Sequence, residues 1–379
     1  MTETALDIAR HLIRFPSITP ADAGAQDYLK KFLKALGFEI YDLPFEGRDS
    51  YRVQNFFARY GKNGPHLCFA GHTDVVPPGD EDAWSVPPFE GAVQDGLLIG
   101  RGASDMKGQV AAFAAAVRDY IGSGYRKGSI SLLITGDEEK DSINGTARVL
   151  EWMEENGHVP DVCLVGEPSN PDYMGQEIKI GRRGSLTGYL TVKGKQGHVA
   201  YPERADNPLT RLVRYLDTLK AAIFDKGSAF FPPTNLEITT IDTGNSASNV
   251  IPAEAKAVFN LRFSDRWTVE ALETKIRFIL DGISPAYELR FSRGAHSFLT
   301  QPGEWTGLVA DSVAAIAGIR PAMTTSGGTS DARFIARYCP VVEAGMVNKS
   351  IHQVDEYCKL ADLEQCTAIY QEILKRYFL

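Results

Sequence analysis

Acids and a histidine recur just beyond short apolar runs, and these are the residues that could do chemistry. His66-Leu-Cys-Phe-Ala70 is followed by Gly71-His72-Thr73-Asp74. Ser131-Leu-Leu-Ile-Thr135 is followed by Gly136-Asp137-Glu138-Glu139, and Val162-Cys-Leu-Val165 by Gly166-Glu167-Pro168. Apolar runs punctuated by glycine read as buried parallel strands. In open α/β sheets, ligands bind beyond the carboxyl ends of such strands. One histidine and several carboxylates at one sheet edge point to a metal site, and a metal site points to hydrolysis.

Each residue also has a plainer reading. His72 and Asp74 stand two apart and face the same way on an extended backbone. A carboxylate so placed can hold the second nitrogen of a metal-binding imidazole, can itself ligate, or can simply sit in a turn. Asp105 precedes an Ala-rich helix pattern from Met106 to Ile121, which predicts an N-cap. Its two oxygens also make it a candidate bridge between two cations. Glu138 and Glu139 continue into Lys140 and Asp141, as a solvated acidic loop would. As functional groups they divide the work: one ligates metal, the other takes a proton from water. Glu167 abuts four apolar residues, which is harder to read as surface. His352 falls in a loop before the last helix pattern, and His198 in a Gly- and Pro-rich loop. Arg262 alternates with apolar residues, as an arginine on a strand edge that is either solvated or forked onto a carboxylate. Ser326-Gly327-Gly328-Thr329 offers backbone amides to an anion.

The elements that must position these residues follow from periodicity. Helices fit 3–14, 24–36, 106–121 and 145–156, and strands fit 38–43, 52–60, 66–71, 130–135 and 161–166. This predicts an α/β fold with a mostly parallel sheet. Residues 182–294 read as β-α-β-β-α-β: strands at 185–193, 235–242, 254–264 and 287–293, and helices at 207–224 and 268–281. That is the order of a ferredoxin-like unit, inserted between a first domain's two parts, 1–181 and 295–379. Further on, a helix fits 306–317, a buried strand 339–342 and a last helix 360–376.

The whole chain narrows the class. With 379 residues it has room for two domains. A formal charge of -8 and scattered basic residues argue against nucleic-acid binding. The N-terminus carries acids where a signal peptide needs bases, and the most apolar helical stretch, Val110 to Val117, is too short to span a membrane. Five cysteines without a Cys-x-x-Cys predict free buried thiols and a cytoplasmic protein.

Together the motifs Gly71-His72-Thr73-Asp74-Val75-Val76-Pro77, Gly100-Arg-Gly-Ala-Ser-Asp105-Met-Lys-Gly108, Gly136-Asp-Glu-Glu139 and Gly166-Glu-Pro168 resemble the M20 family of dinuclear zinc hydrolases. The resemblance implies a zinc-hydrolase catalytic domain with an inserted dimerisation domain, acting as a homodimer. It implies that His72 and Glu167 bind one Zn2+, that Glu139 and His352 bind the other, and that Asp105 bridges them. Asp74 would orient His72, and Glu138 would be the general base. His198 would reach across from the other subunit to hold the oxyanion. Arg182, Asn249, Arg262, Gly328 and Thr329 would bind substrate carboxylates. The peptide after Asp105 would be cis. Cobalt or manganese can also occupy such donor sets.

Within the family, Gly181-Arg-Arg-Gly-Ser-Leu-Thr-Gly188, Lys193-Gly-Lys-Gln-Gly-His198-Val-Ala-Tyr-Pro202, Ser248-Asn-Val-Ile-Pro252 and Ser326-Gly-Gly-Thr-Ser-Asp-Ala-Arg-Phe-Ile335 resemble enzymes that cleave an N-succinyl amino acid. Ala332 stands where glycine is expected. The implied reaction takes N-succinyl-LL-diaminopimelate to LL-diaminopimelate and succinate, on the route to lysine. A deacetylase acting on acetylornithine, or another M20 amidohydrolase, is the nearest rival. A non-catalytic binding protein of this fold predicts a lost ligand or base, and none is missing.

Overall fold

The apolar runs become the middle of an eight-stranded sheet. The computed structural model describes residues 3–48, 50–124, 127–292 and 294–379. Met1 and Thr2 of the N-terminal segment, and Arg293 at the end of the last predicted inserted strand, lie outside the described residues.

The strands lie in the order Glu39–Asp42, Phe56–Tyr60, Ser129–Thr135, His66–His72, Val162–Val165, Val341–Glu343, Glu177–Lys179 and Ala322–Thr324. Four of the seven pairings are parallel, and three are antiparallel. His66–His72, Ser129–Thr135 and Val162–Val165 are buried at every residue, as strands covered on both faces must be. Their register sets His72 beside Thr135 and Ala70 beside Val165. All three therefore end at one edge.

The Ala-rich helix is Lys107–Gly122, and every residue from Lys107 to Val117 is buried. Small side chains let it lie close against neighbours. Phe113 stacks on Phe69 with centroids 4.2 Å apart, and Tyr370 of the Leu360–Phe378 helix meets both rings edge-on. Each such buried side chain contributes about 1.5–3 kcal/mol. The predicted Asp105 cap is not formed. Met106 occupies the cap position, and no side chain caps the helix. The Asp105 carboxylate is turned instead toward two imidazoles.

The chain divides into two compact units: Met1–Ile180 with Thr300–Thr324 and Ser330–Leu379, and Gly181–Leu299 with Thr325–Thr329. The second unit contains an antiparallel four-stranded sheet, ordered Asn235–Asp242, Glu254–Phe263, Gly184–Lys193, Glu288–Phe291. Gly184–Lys193 alternates buried and half-buried residues up to Val192 and ends on exposed Lys193, a period of two that packs one face. That face, with Leu186, Leu190, Phe259 and Leu261, packs with Leu212 and Ile276 of two helices. Those helices, Pro208–Ala221 and Val269–Asp281, are capped by Asn207 and Thr268. Arg262 lies on Glu254–Phe263, an interior strand rather than the edge expected.

Several short elements carried no readable period. A three-stranded sheet joins Ala92–Gln94, Leu97–Ile99 and Tyr357–Lys359. It ties the chain just before the Asp105 loop to the chain just after His352. All five cysteines are free and buried. Among the described residues, no helix is long and apolar enough to cross a membrane.

Candidate active site

Glycine stands before two of the candidate ligands for a steric reason. A Cβ on Gly71 would lie 2.7 Å from Met106 Cε, and one on Gly166 would lie 2.6 Å from the same atom. The Met106 side chain lies against both strand ends, so a side chain at Gly71 would have to displace it, and one at Gly166 would have to displace the Phe69 ring as well.

Seven residues of the first unit converge there. His72 Nε2 lies 3.3 Å from Asp105 Oδ1 and 3.6 Å from Glu167 Oε1. His352 Nε2 lies 3.1 Å from Glu139 Oε1 and 3.4 Å from Asp105 Oδ2. Asp105 thus turns one oxygen to each imidazole, and its following peptide is cis. His352 adopts φ 60, a left-handed conformation rare outside glycine.

Asp74 works from behind. Its backbone carbonyl lies 2.9 Å from His72 Nδ1, nearer than its carboxylate at 3.6 Å. A proton held on Nδ1 by that carbonyl leaves the Nε2 lone pair facing the acids. The Asp74 carboxylate accepts hydrogen bonds from Thr19 Oγ1 and from the amides of Glu138 and Glu139, the latter two at 3.4 and 3.1 Å. It therefore sets the paired glutamates as well as the histidine.

The electrostatics call for a cation. Burial pushes the Glu138 carboxyl well above the ordinary range, and the Glu167 charge adds to it while His72 opposes it. Glu139 is also raised by burial. Burial lowers His72, but hydrogen bonding to Asp105 and the charges of Asp74, Glu167 and Glu138 outweigh it, leaving it raised. His352 is pushed up to about 10 by hydrogen bonds to Asp105 and Glu139. Acids outnumber imidazoles, so the cluster holds uncompensated negative charge in a poorly solvated place. His72 Nε2 and Asp105 Oδ1 are buried 3.3 Å apart, and neither makes a well-aligned hydrogen bond to any other group. Atoms of His72, Asp105 and Glu139, and of His72, Glu138 and Glu167, lie within 4.8 Å of one another. Imidazole nitrogens and carboxylate oxygens at these spacings fit a divalent metal.

The remaining six candidates belong to the second unit. His198 and Asn249 are brought together: Gly197–His198 pairs with Val250–Ile251, and the Val199 amide donates to the Asn249 carbonyl at 3.1 Å. Both residues are exposed. Buried Arg182 donates to the carbonyls of Ser326 and Gly328, both at 3.4 Å, with Thr329 next in the same loop. Arg262 sits in register between Ser185 and Asn235.

Sequence reasoning passed over two buried acids. Burial raises the Asp331 carboxyl against the Arg333 charge, and His72 and Asp74 are near enough to act on it with opposite signs. Glu356 accepts four hydrogen bonds from residues 101–105. The available signal was the loop itself, since buried amides require an acceptor from somewhere.

Imidazoles and carboxylates gathered at the strand ends of a mixed α/β sheet define a metal-dependent hydrolase. The family model described as Peptidase family M20/M25/M40 matches residues 68–376, and the chain belongs to that family. A succinyl-diaminopimelate desuccinylase of Rhodospirillum centenum is 53% identical over 379 residues, covering 100% of this chain and 98% of the relative. One of Rhodopseudomonas palustris is 51% identical, covering 100% and 99%. Among solved structures, an M20 family metallo-carboxypeptidase of Sulfolobus solfataricus superposes with a TM-score of 0.80 at 19% identity, covering 98% and 99%. A dinuclear metal-binding M20 peptidase of Bacillus subtilis gives 0.72 at 15%, covering 99% and 97%.

Proposed function

We propose that this chain hydrolyses the succinyl amide of N-succinyl-LL-diaminopimelate to succinate and LL-diaminopimelate. The carrying observation is the 53% identity to a succinyl-diaminopimelate desuccinylase along the whole of both chains. We assign His72 and Glu167 to one zinc ion, Glu139 and His352 to a second, and Asp105 to both. The cations supply Lewis acidity: they polarise the amide carbonyl and lower the pKa of a water.

The chain's own residues do the rest. Glu138 takes a proton from the attacking water as the water oxygen bonds to the carbonyl carbon. The C–N bond then breaks, and Glu138 returns that proton to the departing amine. The water oxygen leaves in succinate, so atoms and charge balance. Asp74 keeps His72 in its Nδ1–H form and holds the Glu138 amide. His198 of the partner subunit donates to the carbonyl oxygen as negative charge develops on it. Arg182 and Arg262 fork onto substrate carboxylates, with Asn249, Gly328 and Thr329 completing the polar lining.

The dimer uses the inserted unit as its interface, and the enzyme works in the cytoplasm, a setting in keeping with five free buried thiols. Side-by-side assays on N-succinyl-LL-diaminopimelate and N-acetylornithine test the substrate; faster turnover of the acetyl compound would replace this reading. A sedimentation mass near twice 41.6 kDa is expected, and a monomer would remove the cross-subunit role of His198.

A further inference from the structure

One carboxylate holds the loop that presents Asp105. Glu356 is buried, 1% exposed. Its Oε1 accepts from the amides of Ser104 and Asp105, both at 2.9 Å. Its Oε2 accepts from the Gly102 amide at 3.0 Å and from Arg101 Nη1 at 2.7 Å. An ionised carboxylate offers about four acceptor sites and no donor, and here each oxygen takes two donors.

Glu356 also stands four residues after His352. The Gly100 amide donates to the Glu356 carbonyl at 2.9 Å, and Ser104 Oγ donates to the Val347 carbonyl at 2.7 Å. The intervening loop is closed by Ser350, whose Oγ donates to the Tyr357 carbonyl and accepts from the Tyr357 amide. A ring results. It runs from the Asp105 amide to Glu356, back along the chain to His352, and from His352 Nε2 across 3.4 Å to the Asp105 carboxylate. His352 is itself exposed and in a left-handed conformation. Its own packing does little to hold it in place.

We infer that Glu356 is a positioning residue that fixes Asp105 against His352 and thereby sets how tightly that pair holds a divalent cation. This rests on the reading that the pair ligates one. The plainer role, balancing the buried Arg101 charge, makes a different prediction. In Glu356→Gln the amide nitrogen must face two donors whichever way the group is turned: Ser104 and Asp105, or Arg101 and Gly102. Either way two of the four donors lose their acceptor, so the clamp on the loop is weakened. In Arg101→Met three backbone donors to Glu356 remain.

The test is Co2+ binding to the chelator-stripped full chain, followed by visible absorption against a competing chelator. Wild type, Arg101→Met, Glu356→Gln and the double variant Arg101→Met/Glu356→Gln are compared. The double variant removes the ion pair as a unit, so it leaves no unpaired buried charge to unfold the chain. Glu356→Gln and the double variant are expected to weaken at least one Co2+ by about 10- to 100-fold. Arg101→Met, which leaves Glu356 three backbone donors but no counter-charge, should weaken Co2+ binding less than Glu356→Gln does. At saturating Co2+ the Glu356 variants should lose kcat while KM for the succinyl substrate holds. Equal Co2+ affinity in Glu356→Gln or the double variant overturns the inference, as does an equal loss in Arg101→Met. A wild-type chain that binds no Co2+ overturns the metal-site reading, and this inference with it.

Discussion

Glu138 and Glu139 are neighbours in sequence with different partners. Burial raises both carboxyls, but Glu139 meets His352, whereas Glu138 faces the Glu167 charge. That difference favours Glu139 as ligand and Glu138 as the group that moves a proton. Glu138→Gln keeps size and shape but cannot take the proton. Turnover should fall by about 10²- to 10⁴-fold with metal content unchanged, as kcat and elemental analysis would show. If activity survives with both metals bound, the base lies elsewhere. At this scale the residues that converge on the cluster were legible, because several acids and histidines placed just past buried strands are too costly to desolvate without a shared cation. Asp74 and Glu356 were less legible. They act through backbone amides, and nothing in a sequence marks which amides lack partners. Asp105 carried two readings, cap and ligand, for a related reason: an acid before a helix looks like a cap until the direction of its carboxylate is known.

Among elements, legibility followed length. Gly184–Lys193 repeats its period of two often enough to be read, and Lys107–Gly122 is long and alanine-rich enough to read as a helix without one. Glu177–Lys179 and Ala322–Thr324 have three residues each and become strands only by pairing with distant segments, with one another and, for Glu177–Lys179, also with Val341–Glu343. No local pattern encodes a partner so distant in sequence. Glycine beside an element can be equally uninformative and still decisive. Gly345 follows Val341–Glu343, and a Cβ there would lie 2.4 Å from the Glu167 carbonyl oxygen and 2.6 Å from that of Gly166. Both obstacles are backbone, so neither can swing aside. Gly345→Ala should cost about 1–3 kcal/mol, read from the midpoint of denaturant unfolding. An unchanged midpoint would mean that the end of the Val162–Val165 strand gives way freely.

For the molecule as a whole, the interrupted order was readable because the hydrophobic period changes from buried runs to alternation near residue 184 and back again after residue 291. The grouping of Thr325–Thr329 with the second unit was not, since it depends on long-range hydrogen bonds such as that of Arg182 with Gly328. The first unit carries its clustered acids near the middle of its sheet. Stripping metal from the folded chain should therefore lower its melting temperature, and returning zinc or cobalt should restore it. Each site held at about a hundred times its Kd contributes about 2.7 kcal/mol. A melting curve indifferent to chelator would show that the acids are neutralised by protons alone.

Three strands that bear catalytic candidates at their ends, Ser129–Thr135, His66–His72 and Val162–Val165, are successive rungs of one sheet. Rungs of a sheet stand about 4.7–4.9 Å apart because hydrogen-bond length allows nothing else. The backbone origins of these side chains are therefore gauged by the peptide lattice, not by the side chains themselves. Changing the residues between the rungs can loosen the ladder but cannot re-space it. Adjustment to a larger or smaller ion has to come from side-chain rotation beyond the strand ends and from the loops that bring in Asp105 and His352.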